Sequence, residues 1–166
     1  MGGTVGSIVL SGLEVTYRPL EALKPNPNNA RTHSKRQVKK IAESINTFGF
    51  TNPVLVDRDT NIVAGHGRVE AAKSLKMKEV PTICLENLAP EQLRAYVIAD
   101  NRLAELAGWD NSILAIEFQN LMALDLDFDV TITGFEIAEI DLILQQAEVK
   151  PDADDTFEEP SGPAIT

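Results

Sequence analysis

The sequence predicts an α+β fold, a small mixed β-sheet with flanking helices followed by an acidic helical subdomain. Three observations carry that expectation. Short apolar runs of strand length at residues 53–57, 62–64 and 80–85 are bounded by turn-forming residues and interleave with segments of helical period. Beyond Trp109 the apolar spacing is helical only. The chain has 166 residues, 43% hydrophobic and 24% charged, which is ordinary globular composition. That length suits one domain of usual size and is too short for two full ones.

The elements follow in order. Residues 1–13 read as a flexible leader. Val15, Thr16, Tyr17 and Arg18 alternate as a short strand before Pro19. Residues 24–33 (KPNPNNARTH), with two prolines and three asparagines, form a rigid polar loop. Ser34 caps a helix, and Gln37 three residues on completes a capping box. Val38, Ile41, Ala42, Ile45 and Phe48 give that helix its apolar stripe, and Gly49 stops it. Residues 53–57 make a buried strand, 58–61 a turn and 62–64 a second strand, which runs directly into Gly65, His66, Gly67, Arg68 and a helix to about Met77. Residues 80–85 are a further strand. Pro90 opens a long helix to about Ala107, with Leu93, Tyr96, Val97 and Leu103 inside. Asp110 caps the next helix, to about Leu124, and Thr133 with Glu136 forms a capping box for a last one to about Ala147. Residues 149–166 are rich in Pro and acid and read as a disordered linker or tail. The expected organisation is therefore a leader at 1–13, a first domain at 14–108, a helical subdomain at 109–148 and a tail at 149–166.

Composition narrows the function classes. No run approaches roughly eighteen apolar residues, so no membrane span is expected. No basic residue precedes the mildly apolar start, which argues against a secretory signal, and Gly6 stands where a myristoylation signal needs Ser or Thr. The single cysteine, Cys84, excludes an intramolecular disulfide and a cysteine-cluster metal site, and a cytoplasmic setting follows. The net charge of −10 is unevenly divided, with +5 in residues 1–80 and −15 in residues 81–166. Lys24, Arg31, Lys35, Arg36, Lys39 and Lys40 cluster without an acid among them. Such a patch is the footprint of phosphate or nucleic-acid contact, or else a solvated helix face.

The strongest local signal is the strand-to-helix turn at Gly65, His66, Gly67 and Arg68. Two glycines allow close backbone approach and positive φ. A helix start offers free N–H groups and the positive end of its dipole to an anion, and Arg68 can add a charge-assisted fork to a phosphate. A plain glycine-bearing turn with a surface arginine is the simpler alternative. A third glycine is missing, since Glu70 stands at its place, so this is not the dinucleotide fingerprint. His66 is read as a hydrogen-bonding partner for a phosphate or base, His33 as a loop residue and Cys84 as inert core. Asp100 beside Asn101 either holds a hydrated divalent ion or makes a polar contact between helices.

In series, these segments resemble the N-terminal domain of the ParB/RepB family, whose fold is shared with sulfiredoxin. The resemblance runs from Tyr17 to Trp109. Asn29, Ala30 and Arg31 match the family's Gln-Pro-Arg loop. Residues 41–45 with Gly49, and 52–56, match its helix and following strand. Gly65, His66, Gly67 and Arg68, then Ala71 and Ala72, match its Gly-Glu-Arg-Arg turn and small helix residues. Val80 and Pro81 match its next strand, and Asp100 and Asn101 stand at its Glu-Asn.

The resemblance implies a nucleotide site, CTP or another nucleotide with Mg2+. Gly65, His66, Gly67 and Arg68 would hold the phosphates with Arg31 and Asn29, and Asp100 and Asn101 would stand at the metal. Lys24, Lys35, Arg36, Lys39 and Lys40 would face DNA. The segments ARTHS, GFTNPVLVD, AGHGRVEAA and YVIADNRLAELAGWD look most like the ParB-like domain that precedes the catalytic domain of phage and prophage DNA methyltransferases. The methylase signatures are absent, so this chain alone is expected to be a noncatalytic nucleotide- and DNA-backbone-binding module. Its expected partners are DNA, a downstream methyltransferase domain and a second copy in a homodimer. Two rival readings are a CTP-hydrolysing switch or ParB-type nuclease, and an acidic protein–protein adaptor. Sulfiredoxin's redox activity is not expected, because His66 falls near the place of its cysteine. The acidic segment after Trp109 is expected to be a poor helix-turn-helix.

Overall fold

The computed structural model describes residues 12–148; most of the expected leader and all of the expected tail lie outside them. The chain divides into two compact units, the first ending at Gly108 and the second beginning at Trp109. In the first unit the order is β1 (Val15–Pro19), a 3-10 turn (Leu20–Ala22), α1 (Lys35–Phe48), β2 (Val54–Val56), β3 (Ile62–Ala64), α2 (His66–Ser74), β4 (Glu79–Cys84) and α3 (Pro90–Leu106). The sheet order is β1-β4-β2-β3. β4 runs antiparallel to β1 and parallel to β2, and β2 runs antiparallel to β3, so the sheet is mixed. The last strand in the chain thus lies inside the sheet.

Burial explains this placement. Val80, Pro81 and Thr82 of β4 are buried, as are Val54 and Val56 of β2, the pattern of interior strands. Val54, Val56 and Val80 form one core with Leu20, Leu23, Ile62, Val69 and Ala72. Thr82 is the one buried polar residue among those described, and its hydroxyl donates to the Thr16 carbonyl at 2.7 Å. That bond removes the cost of a buried, unpaired hydroxyl. Ser34 caps α1, its Oγ accepting the Gln37 N–H at 3.1 Å, and the helix ends at Gly49 with φ +84°. The expected capping box is not completed, because Gln37 Oε1 lies 3.1 Å from His33 Nδ1.

Four further expectations need correction. α2 stops at Ser74, not near Met77, because the chain closes with a Schellman turn: the Lys76 N–H bonds the Lys73 carbonyl and the Met77 N–H bonds the Ala72 carbonyl, both at 3.0 Å. The left-handed position in that turn (φ +55°) is Lys76, not the glycine that would have announced it. In α3 only Val97 is buried; Leu103 is 66% exposed. Leu103, six residues after Val97, falls off its stripe at the helical period. Asp100 and Asn101 share the inner face with Val97. Phe48, at the end of the α1 stripe, is 52% exposed.

The second unit consists of α4 (Asn111–Met122), a 3-10 turn (Val130–Thr133) and α5 (Ile137–Glu148). Asp110 caps α4 by accepting the Ser112 and Ile113 N–H groups. Ala115, Phe118, Ile140 and Ile143 form its core, and Phe135 packs edge-on against Phe118 with ring centroids 5.4 Å apart. Here lies the fourth correction. Thr133 does not cap α5, because it is taken into the 3-10 turn, where its hydroxyl donates to the Val130 carbonyl. Instead Glu139 reaches back to the Glu136 N–H at 2.7 Å. No helix among the described residues is long and apolar enough to cross a membrane.

Relieving the strained end of α2 should stabilise the first unit. Lys76→Gly is expected to gain about 1 kcal/mol, the cost of holding a side-chain-bearing residue left-handed, read as a rise in Tm; an unchanged or lower Tm contradicts the strained turn.

Candidate functional site

The site grows from the turn between β3 and α2. Gly65 takes φ +107° and ψ 21°, a left-handed conformation that reverses the chain and starts α2 at His66. No side chain caps this helix start, so the N–H groups of its first turn have no acceptor inside the helix. The two glycines serve different ends. A Cβ on Gly65 would stand 2.9 Å from the Arg68 guanidinium, which folds back over the turn. A Cβ on Gly67 would stand 3.0 Å from Ile41 and 3.1 Å from the His33 ring, so Gly67 lets α1 approach α2.

The polar loop is tied down at both ends of the site. Asn29 brackets Arg31: its Oδ1 accepts the Arg31 N–H at 3.2 Å and its Nδ2 donates to the Arg31 carbonyl at 3.0 Å. Asn29 is thereby a positioning residue. Arg31 Nη1 donates to Asn101 Oδ1 at 3.1 Å, and Asn101 Nδ2 donates to the Val97 carbonyl at 2.8 Å, which ties the loop to α3. The Asn26 N–H donates to His66 Nε2 at 3.2 Å, which ties it to α2. Between these anchors lies a cavity of about 240 Å³. Arg31, Arg68 and Asp100 supply its charged walls, and Asn29, Asn101 and the turn of residues 65–68 line the remainder. A second cavity of about 470 Å³ shares Arg31 and Asn101 as a wall.

The electrostatics favour an anion. Arg68 Nη2 donates to the Pro53 carbonyl at 3.2 Å, while its Nε is buried with no partner. Burial disfavours the charge on Arg68, and the Asp100 carboxylate offsets part of that cost. Among the described residues no carboxylate lies within ion-pairing distance of Arg68. His66 has its pKa lowered below 6.5, first by burial and then by the field of His33, against a smaller opposing effect of Glu70. Since Nε2 accepts from Asn26, His66 is neutral, and Nδ1 is its remaining donor. Asp100 Oδ1 accepts the Tyr96 hydroxyl at 3.4 Å. Asn101 Oδ1 accepts one bond from Arg31 and Asp100 Oδ1 one from Tyr96, so the pair expected at a metal keeps acceptor capacity, most of it on the Asp100 carboxylate. No group of three or more His, Cys, Asp or Glu among the described residues is arranged to hold a metal.

The expected basic patch lies apart from this cavity. None of Lys24, Lys35, Arg36, Lys39 or Lys40 lines it. Lys24 pairs through its backbone with Thr60 and Ile62 beside β3, its side chain exposed. Lys35, Arg36 and Lys39 are exposed on α1, and Lys39 lies 3.9 Å from Glu43. Three contributors were not foreseen: Asn26, the Pro53 carbonyl and Gln37, whose Oε1 is 3.1 Å from His33 Nδ1. A backbone amide or carbonyl leaves no mark in a sequence, so only Gln37, one turn into α1, was findable.

Two outcomes follow. Gly65→Ala is expected to cost about 1–3 kcal/mol in thermal unfolding and to displace Arg68; an unchanged Tm contradicts the turn geometry. Because the fold keeps His66 neutral, unfolding releases a ring that binds more protons, so stability is full above pH 6.5 and declines as pH falls through the lowered value. The Asn26 amide resonance should titrate together with the His66 ring, and His66→Gln should abolish both effects.

Comparison with known proteins agrees with this architecture. The model of the ParB N-terminal domain matches residues 9–101. That of the ParB-methyltransferase HTH domain matches residues 112–166, which corrects the expectation that this segment is a poor helix-turn-helix. Helix lengths and buried spacing, not surface charge, define such a unit. YnaK, a ParB-like nuclease domain-containing protein of Escherichia coli (strain K12), is 56% identical over 80 residues, covering 48% of this chain and 92% of YnaK. A probable chromosome-partitioning protein ParB of Rickettsia bellii is 30% identical over 83 residues, but the match takes in only 29% of that protein and 49% of this chain. Among solved structures, the C-terminally truncated chromosome-partitioning protein ParB from Caulobacter crescentus, complexed with CTP-gamma-S, superposes with a TM-score of 0.66 at 23% identity. That alignment covers 83% of this chain and 81% of the other. With a family model spanning more than half the sequence and a relative more than half identical over nearly its whole length, the chain belongs to the ParB N-terminal domain family.

Proposed function

We propose that the first unit is a noncatalytic module that binds the phosphates of a nucleotide in the cavity at residues 65–68 and presents its basic loop and α1 to the DNA backbone. The observation that carries this reading is the convergence of the uncapped start of α2, Arg31 and the unpartnered Nε of buried Arg68 on one cavity. A phosphate oxygen there would meet amide donors, the positive helix end and two guanidinium groups. The partition protein crystallised with CTP-gamma-S shares the fold and makes CTP the first nucleotide to try. Mg2+ held by Asp100 would have to take its other ligands from phosphate and water, and when bound it would neutralise phosphate charge.

We read the site as noncatalytic because His66 Nε2 already accepts from Asn26, while Asp100, which accepts only the Tyr96 hydroxyl through Oδ1, is the group given to Mg2+ in this reading. Association with DNA modification rests on the helix-turn-helix match of the second unit, described for ParB-methyltransferases. The patch on α1 supports DNA contact. A chain of net charge −10 needs such local neutralisation.

A titration with CTP, ATP and GTP plus Mg2+, read by amide shifts, tests the proposal. CTP should move the resonances of Gly65, His66, Gly67 and Arg68, with no phosphate released. Arg68→Ala should weaken binding by about 2 kcal/mol, close to thirtyfold, as expected for a charge-assisted hydrogen bond. If no nucleotide moves these resonances, the nucleotide reading fails; phosphate release that Arg68→Ala abolishes would replace it with a hydrolase.

A further inference from the structure

The second unit carries the wrong surface for reading DNA. From residue 109 to 148 there are nine Asp or Glu and no Lys, Arg or His. DNA affinity draws on Lys and Arg that neutralise phosphates. A surface without one cation repels the duplex, whatever its helix-turn-helix likeness. Its apolar side chains are also half-enclosed. Four residues fill the core, while Ile113, Ile116, Met122, Leu124, Ile137 and Leu142 are exposed. Large apolar residues exposed among carboxylates are available to a partner. Two such units repel one another, because both are acidic. The occupant has to be cationic.

A cationic surface of that kind exists on the same sequence. Residues 24–40 contain six Lys or Arg and no acid, and Lys24, Lys35 and Lys39 are exposed. We infer that the acidic helical unit of one copy docks onto the basic loop and α1 of a second copy, and that DNA competes for the same lysines. The contact is heterologous, so each copy keeps one donor and one acceptor surface free for the next. It requires nothing of the nucleotide cavity, so its failure and the failure of the nucleotide reading are separate results.

Sedimentation velocity on the full chain tests this. The wild type should associate at roughly 0.01 M ionic strength and be monomeric near 1 M, where the screening length falls from about 30 Å to about 3 Å. Two variants should each lower the low-salt association constant about tenfold or more. The first combines Glu117→Gln, Asp125→Asn, Asp127→Asn and Asp141→Asn, all exposed and outside the helix caps. The second combines Lys35→Glu and Lys39→Glu. Mixing the two should restore association, because one supplies an intact acidic unit and the other an intact basic surface. A misfolded variant cannot complement in this way. The acid-neutralised variant should also bind duplex DNA more tightly than the wild type. A wild type that stays monomeric at low salt, or association that survives both sets of substitutions, overturns the inference.

Discussion

The left-handed backbone at Gly65 is the constraint on which the first unit's site depends. At φ +107° this residue turns the end of β3 into the start of α2 within a single step. No side chain then fits at that position, because the Arg68 guanidinium lies where a Cβ would be. The same compression leaves the helix start uncapped and Arg68 Nε without an acceptor. A buried, unpaired donor is costly. An anion bound as proposed would recover that cost.

The loop that faces this turn has no core of its own. Beyond Lys24, whose backbone pairs with Thr60 and Ile62, its position depends on two long-range hydrogen bonds, Asn26 to His66 and Arg31 to Asn101, with Asn29 stiffening the backbone between them. Both tethers use side chains that also line the cavity. A phosphate bound as proposed would compete with the loop for some of the same atoms: by drawing Arg31 inward it would loosen Asn101, and with it the grip on α3. Only Val97 buries α3 in full, so that helix has little else to hold it.

Much of the fold was legible because it obeys local rules. Ser34, Gly49 and Asp110 delimit their helices as their side-chain and backbone chemistry requires, and the apolar strands fell where β-branched runs placed them. The misses share a cause, in that another residue took the expected role. Lys76 adopted the turn that glycine usually makes, and the 3-10 turn claimed Thr133. The cavity is a different matter. Residues near 30, 66 and 100 meet only in three dimensions, and spacing alone left Asp100 and Asn101 undecided; the family likeness grouped them in advance. The Asn26–His66 bond was invisible, since a main-chain donor has no signature.

The interior position of β4 bears on how the protein is made. β1 has no partner, and the β2–β3 hairpin lacks its parallel neighbour, until Cys84 has left the ribosome. Pairing Val15 with Ile83 closes a long loop in one step, a slow event by nature. A nascent chain arrested before that point presents bare strand edges to solvent and is a client for chaperones. The sheet is completed from its middle, and the oldest segment of the polypeptide waits longest for its place.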